Sequence, residues 1–340
     1  MLNRYLLYAI SALILIIIIS CFIPRIYNVP VFKARSSTRY WDLSTGSKIG
    51  YTVLKGDELA DNSTIIYLHG GPGGVITDDV IQFLQPLSQL GFDVYLYDQI
   101  GSGHSERLLN ISEYSVKRHV ADLEAIVEQI GSEKVILIAH SWGCLLAIQY
   151  LQQHPEKVEK LILSGPGPML PVNFDLMKMV PPDSLNLMPS ATSNAVANQR
   201  ARNFRTRFVT WIAEVFNIKL ASDYEMDAYY TWLNKHLAKS TVCIPMDSIV
   251  VKSGLGYYSH VKTVQSFRQV EDRKFLLKDV AVPTLLVRGQ CDNQKWGFTQ
   301  EYLNLLPASK LEIIEGTGHD LLKGKMEVYY KHIVNFLNKG

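Results

Sequence analysis

Short apolar runs rich in β-branched residues alternate with stretches of helical periodicity through most of this chain. The runs are TIIYLH (64–69), VYLYD (94–98), VILIAH (135–140), LILSG (161–165), TLLVRG (284–289) and LEIIEG (311–316). Runs of this length and composition, bounded by turn formers, predict buried strands. Helical patterns fall between and after them, over 80–90, 115–130, 144–154 and roughly 323–338. In the second of these, Val116, Val120, Leu123, Ala125, Val127 and Ile130 make an apolar face, while Lys117, Arg118, Asp122 and Glu128 stay polar. Strands alternating with helices predict an α/β fold: a mostly parallel central sheet, helices on both faces, right-handed crossovers. WDLSTGSKIGYTVLKG (41–56) adds a hairpin about Thr45-Gly46. The rhythm lapses between about 169 and 278, an interval rich in methionine and aromatics, with prolines at both ends of PVNFDLMKMVPPDSLNLMP. It reads as a helical cap inserted above the sheet, which leaves 40–168 and 279–340 as the core.

One run does not fit this pattern. From Tyr5 to Ile23, YLLYAISALILIIIISCFI carries no charge, and Pro24 and Arg25 end it. About twenty such residues cross a hydrocarbon core as a helix, and the polar stripe of a surface helix is almost missing. Residues 1–24 are therefore expected to form an N-terminal transmembrane segment, a single-pass anchor with the membrane as partner through residues 5–23, and 25–39 a tether. Two alternatives are cleavage as a secretory signal and processing at IISC (18–21), which resembles a bacterial lipoprotein box and would leave Cys21 lipidated. Arg25, Lys33, Arg35 and Arg39 follow the run against Arg4 before it, which alone favours a cytoplasmic domain. The lipoprotein reading favours the outside, and the side of the membrane stays open.

Composition narrows the function. With 340 residues, 47% of them hydrophobic, and a formal net charge of +2, the chain has core enough for a large domain and no basic stripe with interleaved aromatics. No nucleic-acid partner is expected. Cys21, Cys144, Cys243 and Cys291 are too scattered for a redox pair or a zinc cluster, so free, mostly buried thiols are expected. No metal or cofactor is called for, and the oligomeric state is left open.

The chemistry centres on IAHSWGC (138–144). Ala139 and Gly143 flank Ser141 at the two positions where bulk would collide across a sharp strand-to-helix turn. Such a turn exposes the serine and places helix N–H groups beneath the reacting oxygen. A serine hydroxyl needs a base to take its proton, and the base needs an orienting carboxylate. LLVRGQCDNQ places Asp292 just past one later strand end, and LEIIEGTGHD places His319 just past the next. Active sites of open α/β sheets form at those ends. LHGGPGG (68–74) supplies glycines whose N–H groups approach a ligand closely, which makes Gly71 and Trp142 the expected oxyanion donors. Trp142 is also expected to wall the pocket, and His140 to point away from Ser141 in a structural role.

HGGPGG, DQIGSGHS (98–105), AHSWGC, the acid in RGQCD and the histidine in GTGH together resemble the α/β-hydrolase fold, and within it the prolyl aminopeptidase (proline iminopeptidase) family. The likeness covers about 60–168 and 280–322, with the cap in the family's cap position. Carried over by position, it implies Ser141 as nucleophile, Asp292 as acid, His319 as base, and Gly71 with Trp142 as oxyanion hole. The sequence departs from the family at Ile100, at Ala139-His140, and in the cap, where Leu233 follows Trp232 in place of a glutamate that holds the substrate amine. Glu214, Glu225 and Trp232 are the candidate substrate-binding residues in its stead. The implied function is a serine hydrolase releasing N-terminal residues, often proline, from small peptides through an acyl-enzyme. An esterase or lipase-like hydrolase and a non-catalytic binding protein on the same scaffold are the alternatives. A serine nucleophile in place of aspartate argues against epoxide or haloalkane hydrolysis.

Overall fold

The computed structural model describes residues 2–56, 63–244 and 253–338, so that part of the expected cap, 245–252, lies outside the described residues. In chain order the elements are α1 (Leu2–Ser20), β1 (Arg39–Asp42), β2 (Lys48–Leu54), β3 (Thr64–Leu68), α2 (Asp78–Gln89), β4 (Val94–Tyr97), α3 (Val116–Ile130), β5 (Val135–His140), α4 (Trp142–Leu151) and β6 (Val158–Ser164). The cap follows with α5 (Asn194–Ala201), α6 (Phe204–Phe216), α7 (Asp223–Leu237) and α8 (Tyr257–Ser266), and the core resumes with β7 (Thr284–Gly289), α9 (Trp296–Leu305), β8 (Ser309–Ile314) and α10 (Met326–Leu337).

The eight strands form one sheet in the order β1-β2-β4-β3-β5-β6-β7-β8. The hairpin β1–β2 is antiparallel and β2 meets β4 antiparallel, whereas every pairing from β4 to β8 is parallel. Because successive side chains leave a strand on opposite faces, β5 sends Ile136 and Ile138 into one core with Phe83, Leu84, Ile333 and Phe336, and Leu137 and Ala139 into the other with Leu123, Leu146 and Tyr302. Both faces are thereby covered, which explains why the central strands read as continuous apolar runs.

The N-terminus corrects the sequence-based expectation. Among the described residues no helix is long and apolar enough to cross a membrane, which overturns the transmembrane segment, the membrane partner and the anchored location. The helix stops at Ser20, so its uncharged part from Tyr5 is about 24 Å long at about 1.5 Å per residue, short of the roughly 30 Å hydrocarbon core. The rest of the apolar run turns onto the cap. Cys21, the expected lipid site of one alternative, is buried, and its carbonyl accepts from the Arg205 guanidinium.

Residues expected as a tether pack as a strap across cap and core. The Arg25 N–H donates to Glu225 Oε1 at 3.0 Å, the Tyr27 hydroxyl accepts from Asn203 at 3.1 Å, and the Arg35 N–H donates to His104 Nε2 at 2.9 Å. Beneath the strap lies an ion pair between α6 and α7, Arg205 Nε to Glu225 Oε1 at 2.5 Å and Nη2 to Oε2 at 2.6 Å, with side chains 3% and 5% exposed. Burial opposes the Glu225 charge, but Arg205 and the Arg25 amide hold its pKa below the usual range.

A second correction concerns the cysteines: Cys243 in the cap is disulfide-bonded to Cys291, in the turn just after β7, while Cys21 and Cys144 are free and buried.

Removing one partner of a buried ion pair leaves an unpaired interior charge, at about 3–5 kcal/mol. Glu225→Ala is expected to lower stability by about that amount, read from urea unfolding midpoints. The apolar double variant Arg205→Met/Glu225→Leu should recover most of the loss; if it is as unstable as the single variant, the pair is not what destabilises it.

Candidate active site

Ser141 leaves the C-terminal end of β5 with φ 54° and ψ −116°, a region that non-glycine residues occupy only under constraint. Several contacts supply that constraint. The Ser141 N–H donates to the Ser164 carbonyl at 3.0 Å, and its own carbonyl accepts from the Cys144 N–H at 3.0 Å. All ten residues of α4 are buried, so the helix has no freedom to swing. Gly143 lies so close to β3 that a Cβ there would stand 2.1 Å from the Leu68 carbonyl oxygen, which accounts for glycine at this position.

The three residues expected to act together meet. His319 Nε2 lies 3.0 Å from Ser141 Oγ, and His319 Nδ1 lies 2.9 Å from Asp292 Oδ1. They arrive from the C-terminal ends of the parallel strands β5, β7 and β8. Asp292 Oδ1 also accepts the Gln294 N–H at 2.9 Å. Burial opposes its charge, yet the facing His319, with Arg288 and the Gln294 amide, brings its pKa to about 2. The His319 ring is buried, which works against its charge, but the Asp292 carboxylate more than offsets this and raises its pKa above the ordinary imidazole value. The assembly can accept a proton from Ser141 Oγ at Nε2 and stabilise the resulting imidazolium.

The loop after β3 faces this group. Gly71, at φ +135°, would drive a Cβ to 2.5 Å from the Gly74 nitrogen, so only glycine carries the backbone through here. Trp142 is the first residue of α4, where the N–H has no intrahelical acceptor. A side chain absent from the sequence-based candidates ties these two parts together. Buried Gln99 accepts the Trp142 Nε1–H at Oε1 at 2.7 Å, donates its side-chain amide to the His69 carbonyl at 3.0 Å and donates its backbone N–H to His69 Nε2 at 2.9 Å. The His69 Nδ1–H then bonds the Gly70 carbonyl at 2.8 Å, and burial keeps this imidazole neutral by lowering its pKa. The sequence signal for Gln99 was its place in DQIGSGHS. Arg288 was also missed. A cation inside an apolar strand, it donates to the Asp292 and Gln294 carbonyls at 3.2 and 2.6 Å and holds the turn that carries the acid.

Ser141 opens into a cleft of about 1550 Å³ between core and cap. The Trp142 indole is not part of its wall; it is stacked on Phe267 at 5.4 Å in the buried core. His140 also lines the cleft, its Nδ1 3.2 Å from Ser164 Oγ and its ring centroid 5.0 Å from that of His319, and burial lowers its pKa to about 4. Of the cap candidates, Glu214 lines the cleft, Glu225 is engaged by Arg205, and Trp232 packs on His236 away from it. Among the described residues no cluster of side chains is arranged to hold a metal ion.

Residues 63–325 match the family model described as the alpha/beta hydrolase fold. A proline iminopeptidase of Heyndrickxia coagulans is 27% identical over 298 residues, covering 86% of this chain and 96% of that protein. Among solved structures, the proline iminopeptidase of Mycobacterium smegmatis superposes with a TM-score of 0.56 at 19% identity, over 89% of this chain and 98% of that one. An epoxide hydrolase from Vigna radiata superposes at 0.61 with 17% identity, over 91% of this chain and all of that one. The shared fold therefore spans different chemistries.

Backbone strain at one residue costs of order 1–3 kcal/mol, and glycine escapes it at an entropic cost of about 0.5–1 kcal/mol. Ser141→Gly is accordingly expected to be more stable than Ser141→Ala by about 1 kcal/mol in urea unfolding. Equal midpoints for the two variants would show that the turn is unstrained.

Proposed function

The chain belongs to the α/β-hydrolase fold family, and on that footing we propose that it is a serine hydrolase working through an acyl-enzyme. The observation that carries this reading is the unbroken hydrogen-bond chain from Ser141 Oγ through His319 to Asp292. His319 takes the Ser141 proton as Oγ attacks a substrate carbonyl. The N–H groups of Gly71 and Trp142 receive the oxyanion. The imidazolium, held in place by Asp292, then protonates the leaving group as its bond to the carbonyl carbon breaks. Water, deprotonated by His319, attacks the acyl-serine and releases the acid, restoring the Ser141 hydroxyl.

For the substrate, the likeness to proline iminopeptidases over nearly the whole chain supports release of an N-terminal residue, proline among them, from small peptides. One observation favours ester hydrolysis as a second reading: Glu225 is neutralised by Arg205 and Trp232 lies off the cleft, so only Glu214 remains of the candidates for an amine. A panel of prolyl, alanyl and lysyl arylamides beside short and long acyl esters separates the two. Turnover of prolyl arylamide above all esters is the expected result; turnover of esters alone would replace the first reading with the second. Labelling by a serine-reactive phosphonate should occur and should vanish in Ser141→Ala. No labelling, or labelling that survives the substitution, would favour a non-catalytic binding protein.

Because the base works only as neutral imidazole, and Asp292 raises the His319 pKa, kcat/KM should rise with pH through a midpoint above about 6.5. Asp292→Asn removes the raising charge. It is expected to move that limb to lower pH and to reduce kcat on the order of 10⁴-fold; a limb that stays in place would exclude His319 as the titrating group.

A further inference from the structure

The charges lining the cleft are unevenly distributed. On the cap side the cleft is lined by Arg202, Arg207 and Arg268 and by one cap carboxylate, Glu214. On the core side the cleft is lined by Asp79, in the first turn of α2, and by Asp320, which is 2.9 Å from Lys323. Of the two cap carboxylates that the sequence offered as partners for a substrate amine, Glu225 is turned inward and neutralised by Arg205. Arg202 and Arg207, both exposed on the cap, line the cleft together with Tyr229. Tyr229 lines the cleft and is fixed from behind by the strap residue Tyr27, ring centroids 5.5 Å apart, and from the side by Tyr257, also at 5.5 Å.

Among the described residues no carboxylate forms an ion pair with Arg202 or Arg207. A guanidinium carries five N–H donors in a plane, so each of the two side chains can offer paired donors to the cleft. Burial holds the His260 imidazole neutral by lowering its pKa to about 4. His260 Nδ1 and the Tyr230 hydroxyl both bond the Pro72 carbonyl, at 3.1 and 3.2 Å, next to Gly71. Tyr229 packs on Tyr257 and Tyr257 on Tyr230, with ring centroids 5.5 and 5.9 Å apart, so the wall that bears the arginines is continuous with the loop facing Ser141.

We infer that Arg202 and Arg207 form a subsite for a substrate carboxylate remote from the scissile carbonyl. Two guanidiniums facing a partly enclosed cleft repel an ammonium and match a carboxylate in shape and charge. The inference rests on the serine-hydrolase reading of Ser141 for the bond that is cleaved. The carboxylate has two possible sources: the free C-terminus of a short peptide on the leaving-group side, or the far end of a dicarboxylic acyl group.

Matched pairs distinguish them: prolyl-glycine against prolyl-glycinamide, and the p-nitrophenyl hemiester of glutaric acid against its methyl-capped diester. The purified full chain should favour the carboxylate member of one pair at least tenfold in kcat/KM, chiefly through KM, and that pair identifies the source. In Arg202→Gln/Arg207→Gln the ratio within the pair should fall toward one, and Arg202→Lys should keep part of it. A wild-type ratio at or below one in both pairs, or a ratio unchanged in the double variant, overturns the subsite. Calorimetry of glutarate against glutaramide on the Ser141→Ala protein reads the same site without turnover. Glutarate should bind at least tenfold more tightly, and equal affinity overturns the subsite even if the double variant does not fold. Absence of phosphonate labelling at Ser141 would remove the hydrolase reading while the calorimetry still decides the subsite.

Discussion

At φ 54° and ψ −116° the backbone of Ser141 can be held only by surroundings that leave it no alternative. Much of the core serves that end. The strand before it lies in the middle of an eight-stranded sheet, the helix after it is buried on every side, and the Leu68 carbonyl presses against Gly143 closely enough to exclude any side chain. Once the turn is held, the hydroxyl lies at the strand ends from which β7 and β8 deliver Asp292 and His319. Gln99 joins the turn to the glycine loop, so the two expected oxyanion donors are set relative to one another by one buried amide.

A second constraint shapes the cap. Arg205 and Glu225 are sealed beneath the strap, and an interior ion pair of this kind is stable only while both partners and their remaining hydrogen bonds are in place. The Cys21 carbonyl and the Arg25 amide complete those bonds, which is why the strap is packed on the domain and does not hang from it. At its other end the cap is tied to the turn bearing the acid, through Cys243–Cys291 and through Asn293, which donates to Asn194 and Ser240 at 3.2 Å each. Because Glu225 is sequestered, the cleft side of the cap presents mainly cations.

Local pattern carried much of this into view. Strands β3 to β8 are legible because β-branched residues run together where both faces of a sheet are covered. Asp292 and His319 are legible because each follows a strand end by a few residues. By contrast, α9 (Trp296–Leu305) was not anticipated: it is short, mixed in polarity, and lies immediately after the turn that had drawn attention for its acid. Cys243 and Cys291, 48 positions apart in sequence, gave no hint of pairing. The Trp142 indole was expected in the pocket wall, yet an indole N–H in a buried site needs an acceptor, and Gln99 lies on the core side.

The order of strands β3 to β8, the sharp turn at Ser141 and the places of Asp292 and His319 just past strand ends were legible in the sequence itself, since periodicity, small flanking residues and position after strands are local properties. Which charges reach the cleft was decided only in three dimensions. Glu214, Glu225, Arg202 and Arg205 are alike in sequence as charged residues on or beside cap helices. Packing alone turns Glu225 and Arg205 onto each other and leaves Arg202 lining the cleft. The end of the first helix was decided in the same way, because hydropathy along a chain records how apolar a run is and not where a buried guanidinium will capture its carbonyl.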